Sequence, residues 1–391
     1  MKYFFLLCFL SCSLFASCQS PHPVIQSAMN QTDLNLLKKV IDEFTGEIST
    51  TVGGQQVSIK NRVSASTAGN NLAADYIKEK LTSYGLTPVI QNYSSGGRNV
   101  YAIQTGKVNP NNIHIICGHY DAVANYCADD NATGTVTVLE AARILSGYSF
   151  ENTIIYALWD EEETGLKGSA YYAQEAVTNK LNIKSVLNID MSGYDSNSDD
   201  HCDVDYRNVA QSPAMKNLLT GLIPAYNLSL VLHPVISTKD DSDHASFLNR
   251  GFTCIFLGEC WDKNDVTPFY HSSNDRANTL NWPYYHKLVK LAIAYVGTVA
   301  VPLATDIADN NSLQNKMSVY PNPVHDHFTV ELEAVSSVVQ VHIADVMGKV
   351  IHSETMQNAQ SIPVYFSATP GVYLVSVSTD QGRAIHKLIK K

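Results

Sequence analysis

The stretch Ile113-His114-Ile115-Ile116-Cys117-Gly118-His119-Tyr120-Asp121 decides the fold. A short apolar run reads as a strand, and His119 and Asp121, which follow it, are of the types that ligate a metal or position a ligand. The pattern repeats on both sides. Strand-like runs occupy 99–104 (NVYAIQ), 153–159 (TIIYALW), 185–190 (SVLNID), 229–236 and 252–257 (FTCIFL). Helical stretches at 132–146, 168–178, 211–224 and 243–249 separate most of them. Strands alternating with helices predict an α/β fold, a mostly parallel sheet flanked by helices. Upstream, residues 33–48 read as a helix with Asp33 near its start, and residues 62–85 as a turn followed by an amphipathic helix that ends at Gly85. Downstream, residues 281–300 read as a closing helix. Its length approaches that of a membrane span, but Tyr284, Tyr285, His286, Lys287 and Lys290 interrupt it, so it is expected in the core.

The chain has 391 residues, which at roughly 150 residues per domain predicts two or three domains. An apolar content of 45% and a mean hydropathy of −0.09 suit a globular chain and exclude a multispanning membrane protein. The net charge of −10 argues against nucleic acid as the main partner, which needs a basic face, and makes carboxylates available for metal ligation. Residues 1–20 read as a signal peptide: Lys2, a mostly apolar run from Tyr3 to Phe15, then Ala16-Ser17-Cys18. That run is too short for a stable membrane span. Plain cleavage is one outcome and lipid attachment at Cys18 the other. Either places the protein at the cell surface or outside the cell, by way of an oxidising periplasm. Three of the eight cysteines fall in the signal. Of the rest (Cys117, Cys127, Cys202, Cys254, Cys260), Cys254 and Cys260 are the expected bridge, and none has zinc-ligand spacing. The catalytic domain is placed at 21–300. Residues 301–316 (VPLATDIADNNSLQNK) are polar and aperiodic and read as a linker. From 317 to 391 short alternating strands separated by turns predict a small β-sandwich.

Several loops after strands carry metal-type ligands: His119, Asp129-Asp130 at a helix start, Asp160-Glu161-Glu162-Glu163, Asp190 and His271. In an open α/β sheet such loops converge on a crevice at the carboxyl ends of the strands. Each has a plainer reading alone. Asp129-Asp130 suits a helix cap, and Asp160 to Glu163 suits a solvated acidic turn. Their coincidence points further. Two histidines and several carboxylates suit two divalent ions bridged by a carboxylate, and imidazole with carboxylate favours zinc. Two ions about 3.5–4 Å apart activate water and polarise a carbonyl. A neighbouring carboxylate kept off the metals then acts as general base. The Glu162-Glu163 pair suits that division, because adjacent side chains on a turning backbone point apart. Asp121 is placed to hold the His119 imidazole. His114, His201, His233 and His286 are read as non-ligands.

His119-Tyr120-Asp121, Asp130-Asn131-Ala132-Thr133-Gly134, Glu162 to Ser169, Asn188-Ile189-Asp190-Met191 and Tyr270-His271, in that order, resemble the motifs of the di-zinc exopeptidases. These form metallopeptidase family twenty-eight of clan MH, which includes bacterial leucyl aminopeptidases. Ser242 to Phe247 and the Arg62 lead-in are similar to further segments of it, so the resemblance spans about residues 30–300. It implies that His119, Asp130 and Asp190 ligate one zinc, that Asp130 bridges, and that Glu163 and His271 complete the second. It implies Glu162 as general base and peptides with a free amino terminus as substrates. Tyr270 stands where a family phenol bonds the tetrahedral intermediate, although pocket lining is its plainer role. Asp243 and His244 are expected to be structural. A glutaminyl cyclase, or a carboxypeptidase or dipeptidase of the same fold, is the alternative; a non-catalytic relative would be expected to have lost ligands. At the carboxyl end, Val319-Tyr320-Pro321-Asn322-Pro323, Asp345 to Lys349, Gly371 to Val375 and the basic Lys387 to Lys391 resemble a type IX secretion sorting domain. That resemblance implies the secretion machinery as a partner; a small adhesive sandwich is the alternative.

Overall fold

The computed structural model describes residues 21–64, 67–263, 265–307, 317–345, 350–379 and 382–391. The expected signal segment with Cys18, most of the expected linker, and Val346 to Lys349 lie outside the described residues. The chain divides between Leu303 and Ala304 into two compact units.

The first unit is built on one eight-stranded sheet. Its strands are β1 (Pro88–Asn92), β2 (Arg98–Gln104), β3 (Asn109–His119), β4 (Asn152–Trp159), β5 (Ile183–Ile189), β6 (His201–Tyr206), β7 (Val231–Ile236) and β8 (Cys254–Gly258). The order across the sheet is β7-β6-β8-β5-β3-β4-β2-β1. The central four, β8-β5-β3-β4, are mutually parallel. At one side β2 and β1 run antiparallel, and at the other β6 turns antiparallel to β8 while β7 follows it in parallel. Every residue of β4 is buried, as befits a strand covered on both faces. The mostly parallel sheet flanked by helices is therefore present, with antiparallel margins.

Local chemistry sets the covering helices. The Asp33 carboxylate accepts hydrogen bonds from the amides of Asn35 (2.8 Å) and Leu36 (3.3 Å), capping the helix Leu34–Thr45, and Gly46 ends it at φ +74°. Asn281 caps Trp282–Ala300. The phenols that break the apolar run of that helix are buried and bonded: Tyr284 donates to the His201 carbonyl and Tyr285 to the Thr133 carbonyl, each at 2.9 Å. Among the described residues no helix is long and apolar enough to cross a membrane.

Some elements depart from the sequence reading. The helix Pro23–Met29, the hairpin Thr50–Val52/Gln55–Val57, β1 and β6 were not expected. Pro302–Ile307 is a strand where the linker was expected to begin. The expected Cys254–Cys260 bridge is not formed, and all five described cysteines are free and buried. Cys254 packs into an apolar cluster with Val186 and Phe247, whereas the Cys260 thiol turns to the Asp203 carboxylate (3.4 Å).

The second unit is one antiparallel sheet of five strands, Met317–Tyr320, His327–Asp345, Val350–Tyr365, Gly371–Thr379 and Gly382–Lys390. Two strands expected separately, at 327–333 and 338–345, are joined through a register irregularity between Glu331 and Ser336. Alternation buries Phe328, Val330 and Leu332, then Val339, Val341 and Ile343, in a shared core. The curled sheet fits the sandwich-like expectation.

Candidate metal centre

Five of the side chains singled out in the sequence meet at the carboxyl ends of the central strands. His119 is the last residue of β3, Asp190 directly follows β5, and Glu163 lies in the loop after β4. Asp130 sits with non-helical backbone (φ −104°, ψ 95°) in the irregular turn Ala128–Thr133 that leads into the helix Gly134–Leu145, and His271 lies in the loop beyond β8. His119 Nε2 is 3.4 Å from Asp130 Oδ1, 3.3 Å from Asp190 Oδ1 and 3.9 Å from Glu162 Oε2. His271 Nε2 is 3.3 Å from Asp130 Oδ2 and 3.2 Å from Glu163 Oε2. Asp130 thus offers one oxygen to each of two donor groups, His119/Asp190 and Glu163/His271.

A buried scaffold sets these positions. Asp121 accepts the amides of Glu162 (3.1 Å) and Glu163 (3.3 Å), and its Oδ1 lies 3.4 Å from His119 Nδ1. One carboxylate therefore orients the imidazole and the acidic turn together. Asp275 accepts the amides of Asp129 and Asp130, each at 2.9 Å, and fixes the turn that presents Asp130. Asp129 faces away from the cluster and accepts the Gly193 amide (2.8 Å). The Ser242 hydroxyl donates to Asp190 Oδ2 (2.6 Å) and itself receives the Asn188 amide (2.8 Å). Left-handed backbone at Glu161 (φ +57°), Met191 (φ +46°) and His271 (φ +56°) marks the same loops, where non-glycine residues rarely adopt it.

The four acids of the run after β4 divide by environment. Asp160 is buried and accepts from Asn70 (2.7 Å) and the Arg98 amide (3.0 Å), so it holds the loop. Glu161 pairs with Lys167 (3.1 Å) toward solvent. Glu162 and Glu163 face the cluster. The solvated-turn reading holds only for Glu161.

The electrostatics test whether cations suit this place. Burial, with neighbouring carboxylates, pushes Glu162 and Glu163 well above the ordinary carboxylate range. Burial alone would raise Asp130, but the His119 and His271 imidazoles beside it bring it to about 2. Burial opposes protonation of His119, and Asp190, Glu162, Asp121 and Asp130 together outweigh it. The buried oxygens Asp130 Oδ2, Glu163 Oε1 and Asp190 Oδ1 have no hydrogen-bond donor among the protein groups. Such oxygens are costly unless something positive meets them. A pair of divalent ions would compensate these carboxylates and bring Glu162 and Glu163 back down. The donor set, two imidazoles with carboxylates, fits zinc.

A cavity of about 860 Å³ opens from the cluster. Leu166, Met191, Ile236 and Phe256 supply apolar wall, and Asp203, Asp205 and Asp241 are among its acidic lining. Tyr270 lies at its edge, 45% exposed, with its ring stacked on His271 at 3.7 Å. Asp243 and His244 are buried. Asp275 and the hydroxyl of Ser242 were not identified as site-shaping from the sequence. Asp275 follows His271 by four positions but has no spacing of its own that signals the contact.

The family model described as Peptidase family M28 matches residues 99–296, and that of a secretion system C-terminal sorting domain matches 318–391. A probable zinc metalloprotease of Pyrenophora tritici-repentis is 31% identical over 187 residues, 40% of this chain and 39% of its own length. A probable aminopeptidase of Saccharomyces cerevisiae is 29% identical over 209 residues, 49% of this chain and 54% of its own. The chain spans about two fifths of the length of the first of these relatives. Among solved structures, Legionella pneumophila LapA aminopeptidase superposes with a TM-score of 0.61 at 22% identity, over 71% of this chain and 75% of that one. A Porphyromonas gingivalis glutaminyl cyclase gives 0.53 at 16% identity, over 68% and 98%. Both likenesses concern the fold.

Proposed function

The chain belongs to Peptidase family M28, and on that footing we propose that it is a zinc-dependent aminopeptidase holding two ions, exported through its C-terminal sorting domain. The observation that carries this reading is Asp130, whose two oxygens face two separate imidazoles at 3.4 and 3.3 Å. His119 and Asp190 would hold one ion, Glu163 and His271 the other, and Asp130 both. Bound there, zinc would supply Lewis acidity toward the scissile carbonyl and ease the ionisation of water.

The remaining work falls to side chains. Glu162 is held by its own amide on Asp121 and reaches the cluster without belonging to either bridged donor group. It would take the proton of the attacking water on its carboxylate and deliver it to the departing amine nitrogen. Tyr270, beside His271 at the cavity rim, would donate its phenol proton in a hydrogen bond to the developing oxyanion. The apolar wall of Leu166, Met191, Ile236 and Phe256 suits a substrate with an apolar amino-terminal side chain. The sorting match at 318–391 supports delivery by the secretion machinery to the cell surface or beyond.

The test is hydrolysis of free and amino-blocked aminoacyl anilides, with and without chelator. Chelator-sensitive cleavage of only the free-amine substrates is expected. Glu162→Gln should lower kcat by roughly 10²–10⁴-fold with bound zinc unchanged, and near-full turnover would refute the general-base role. One zinc ion per chain, with cyclisation of amino-terminal glutamine instead of hydrolysis, would transfer the reading to a glutaminyl cyclase.

A further inference from the structure

Beyond the cluster at the strand ends, three side chains far apart in sequence meet at the side of the sheet. His201 opens β6, His233 lies on the neighbouring β7, and Cys260 follows β8. In register, His233 stands opposite Asp203, two residues along from His201, so the two imidazoles and the Asp203 carboxylate project to one face. His233 Nε2 is 2.9 Å from His201 Nδ1, and one nitrogen of each imidazole and the Cys260 sulfur lie within 4.8 Å of one another. Cys260 is 2% exposed, and its thiol donates to Asp203 Oδ1 at 3.4 Å. Asp203 is also buried and accepts the Asp262 amide (2.7 Å), so the carboxylate beside the thiol is fixed.

This is not a surface acidic patch. Two imidazoles and a thiol form a nitrogen-and-sulfur donor set, the combination that zinc prefers and that calcium and magnesium do not. In tetrahedral geometry, with Zn–N about 2.0–2.1 Å and Zn–S about 2.3 Å, ligand atoms lie roughly 3.3–3.8 Å apart. A small parting of the two imidazoles reaches that spacing. Asp199 Oδ2 lies 3.7 Å from His201 Nδ1, so that carboxylate or a water molecule would complete the fourth position. None of the three ligands belongs to the Asp130 cluster or lines its cavity, although Asp203 does line it.

We propose that His201, His233 and Cys260 bind a third zinc ion, which pins the marginal strand β7 to β6 and to the loop after β8. Cys260 ligates as thiolate, so its proton passes to Asp203 and on to solvent as the ion enters, while Asp203 remains the outer partner of the sulfur. The ion thereby stiffens the acidic wall of the cavity without touching the reacting atoms. Sequence spacing carries no sign of it, because the three residues come from separate strands and a loop.

The test uses the purified full chain, stripped of metal and titrated with cobalt(II) as probe. Wild type should bind one more equivalent than Cys260→Ser or His233→Asn. It should also develop a near-ultraviolet thiolate-to-cobalt charge-transfer band, which oxygen-and-nitrogen ligation at the Asp130 cluster cannot produce. His233→Asn retains every thiol and sits on a half-exposed strand, so loss of the band there assigns it to this site and not to another cysteine. Circular dichroism checks that both variants are folded. Absence of the band from wild type, its persistence in His233→Asn, or equal metal content in all three proteins overturns the proposal. The zinc content and hydrolytic activity of the Asp130 cluster are read separately, so failure of one site is distinguishable from failure of the other.

Discussion

Arg62 shows how much of the site is made by residues that never enter it. Its guanidinium is fully buried and donates to the carbonyls of Phe44, Tyr120, Tyr126 and Cys127, at 2.7 to 3.2 Å. The last three belong to the segment between His119 and Asp130, so one planar side chain fixes the path joining two ligands. Ser242 works at shorter range on a single ligand. Its hydroxyl is the donor to Asp190 Oδ2, and Ser242→Ala leaves that oxygen to rotate. Metal affinity should fall by about 10–100-fold, measured by competition with a chromophoric chelator, while the unfolding transition moves little. Unchanged affinity would mean that the backbone alone orients Asp190. At this scale the ligand types were legible, because His119, Glu163 and Asp190 come after apolar runs and Asp130 and His271 fall in the motifs that carry the family resemblance. Their holders were not, because a hydrogen bond between Ser242 and Asp190 spans 52 positions and leaves no local pattern.

Elements meet at glycines where the sheet and the first ligand-bearing helix touch. A Cβ on Gly134 would lie 2.3 Å from both Asn131 Oδ1 and the Ile189 carbonyl oxygen, one of them backbone of β5. Gly134→Ala must therefore shift the helix Gly134–Leu145 or the turn carrying Asp130, at a cost of about 1–3 kcal/mol or more. Gly221 is the control. It lies inside the helix Ser212–Ala225, and an added methyl there would meet nothing within 4 Å. Gly221→Ala should stabilise by about 0.5–1 kcal/mol through helix propensity and reduced chain entropy. Urea denaturation of the two variants decides it, and equal effects would contradict the packing argument. The apolar strands β3, β4, β5 and β8 and the long helices were readable from period and composition. Strand β6 (HCDVDY) was not: it alternates, but its two aspartates disfavour a strand, and pairing with β7 and β8 supplies what they lack. The junction at Glu331–Ser336 was equally hidden, because a polar, turn-like stretch can also be a bulge within one long strand.

The stability of the whole first unit should depend on pH through groups buried uncharged. His114, on β3, is held beside Ser185 (2.8 Å), and burial pushes its pKa down to about 4. A histidine whose folded value lies below its unfolded value near 6.5 favours the fold most at higher pH. Its contribution is complete above about pH 6.5 and is lost progressively as pH falls through about 4. His114→Gln should flatten the acid limb of the unfolding free energy between those values. An unaltered limb would place the acid sensitivity in the carboxylates. What the sequence by itself determined is the α/β class, the change of texture before Met317 and the ligand types at strand ends, since periodicity and local spacing follow from one chain direction. Tertiary structure alone decided that Cys254 and Cys260 stay apart and that His201, His233 and Cys260 meet. Each of those depends on the register and pairing of strands distant in the chain, and a single shift of register would turn the side chains to the opposite face.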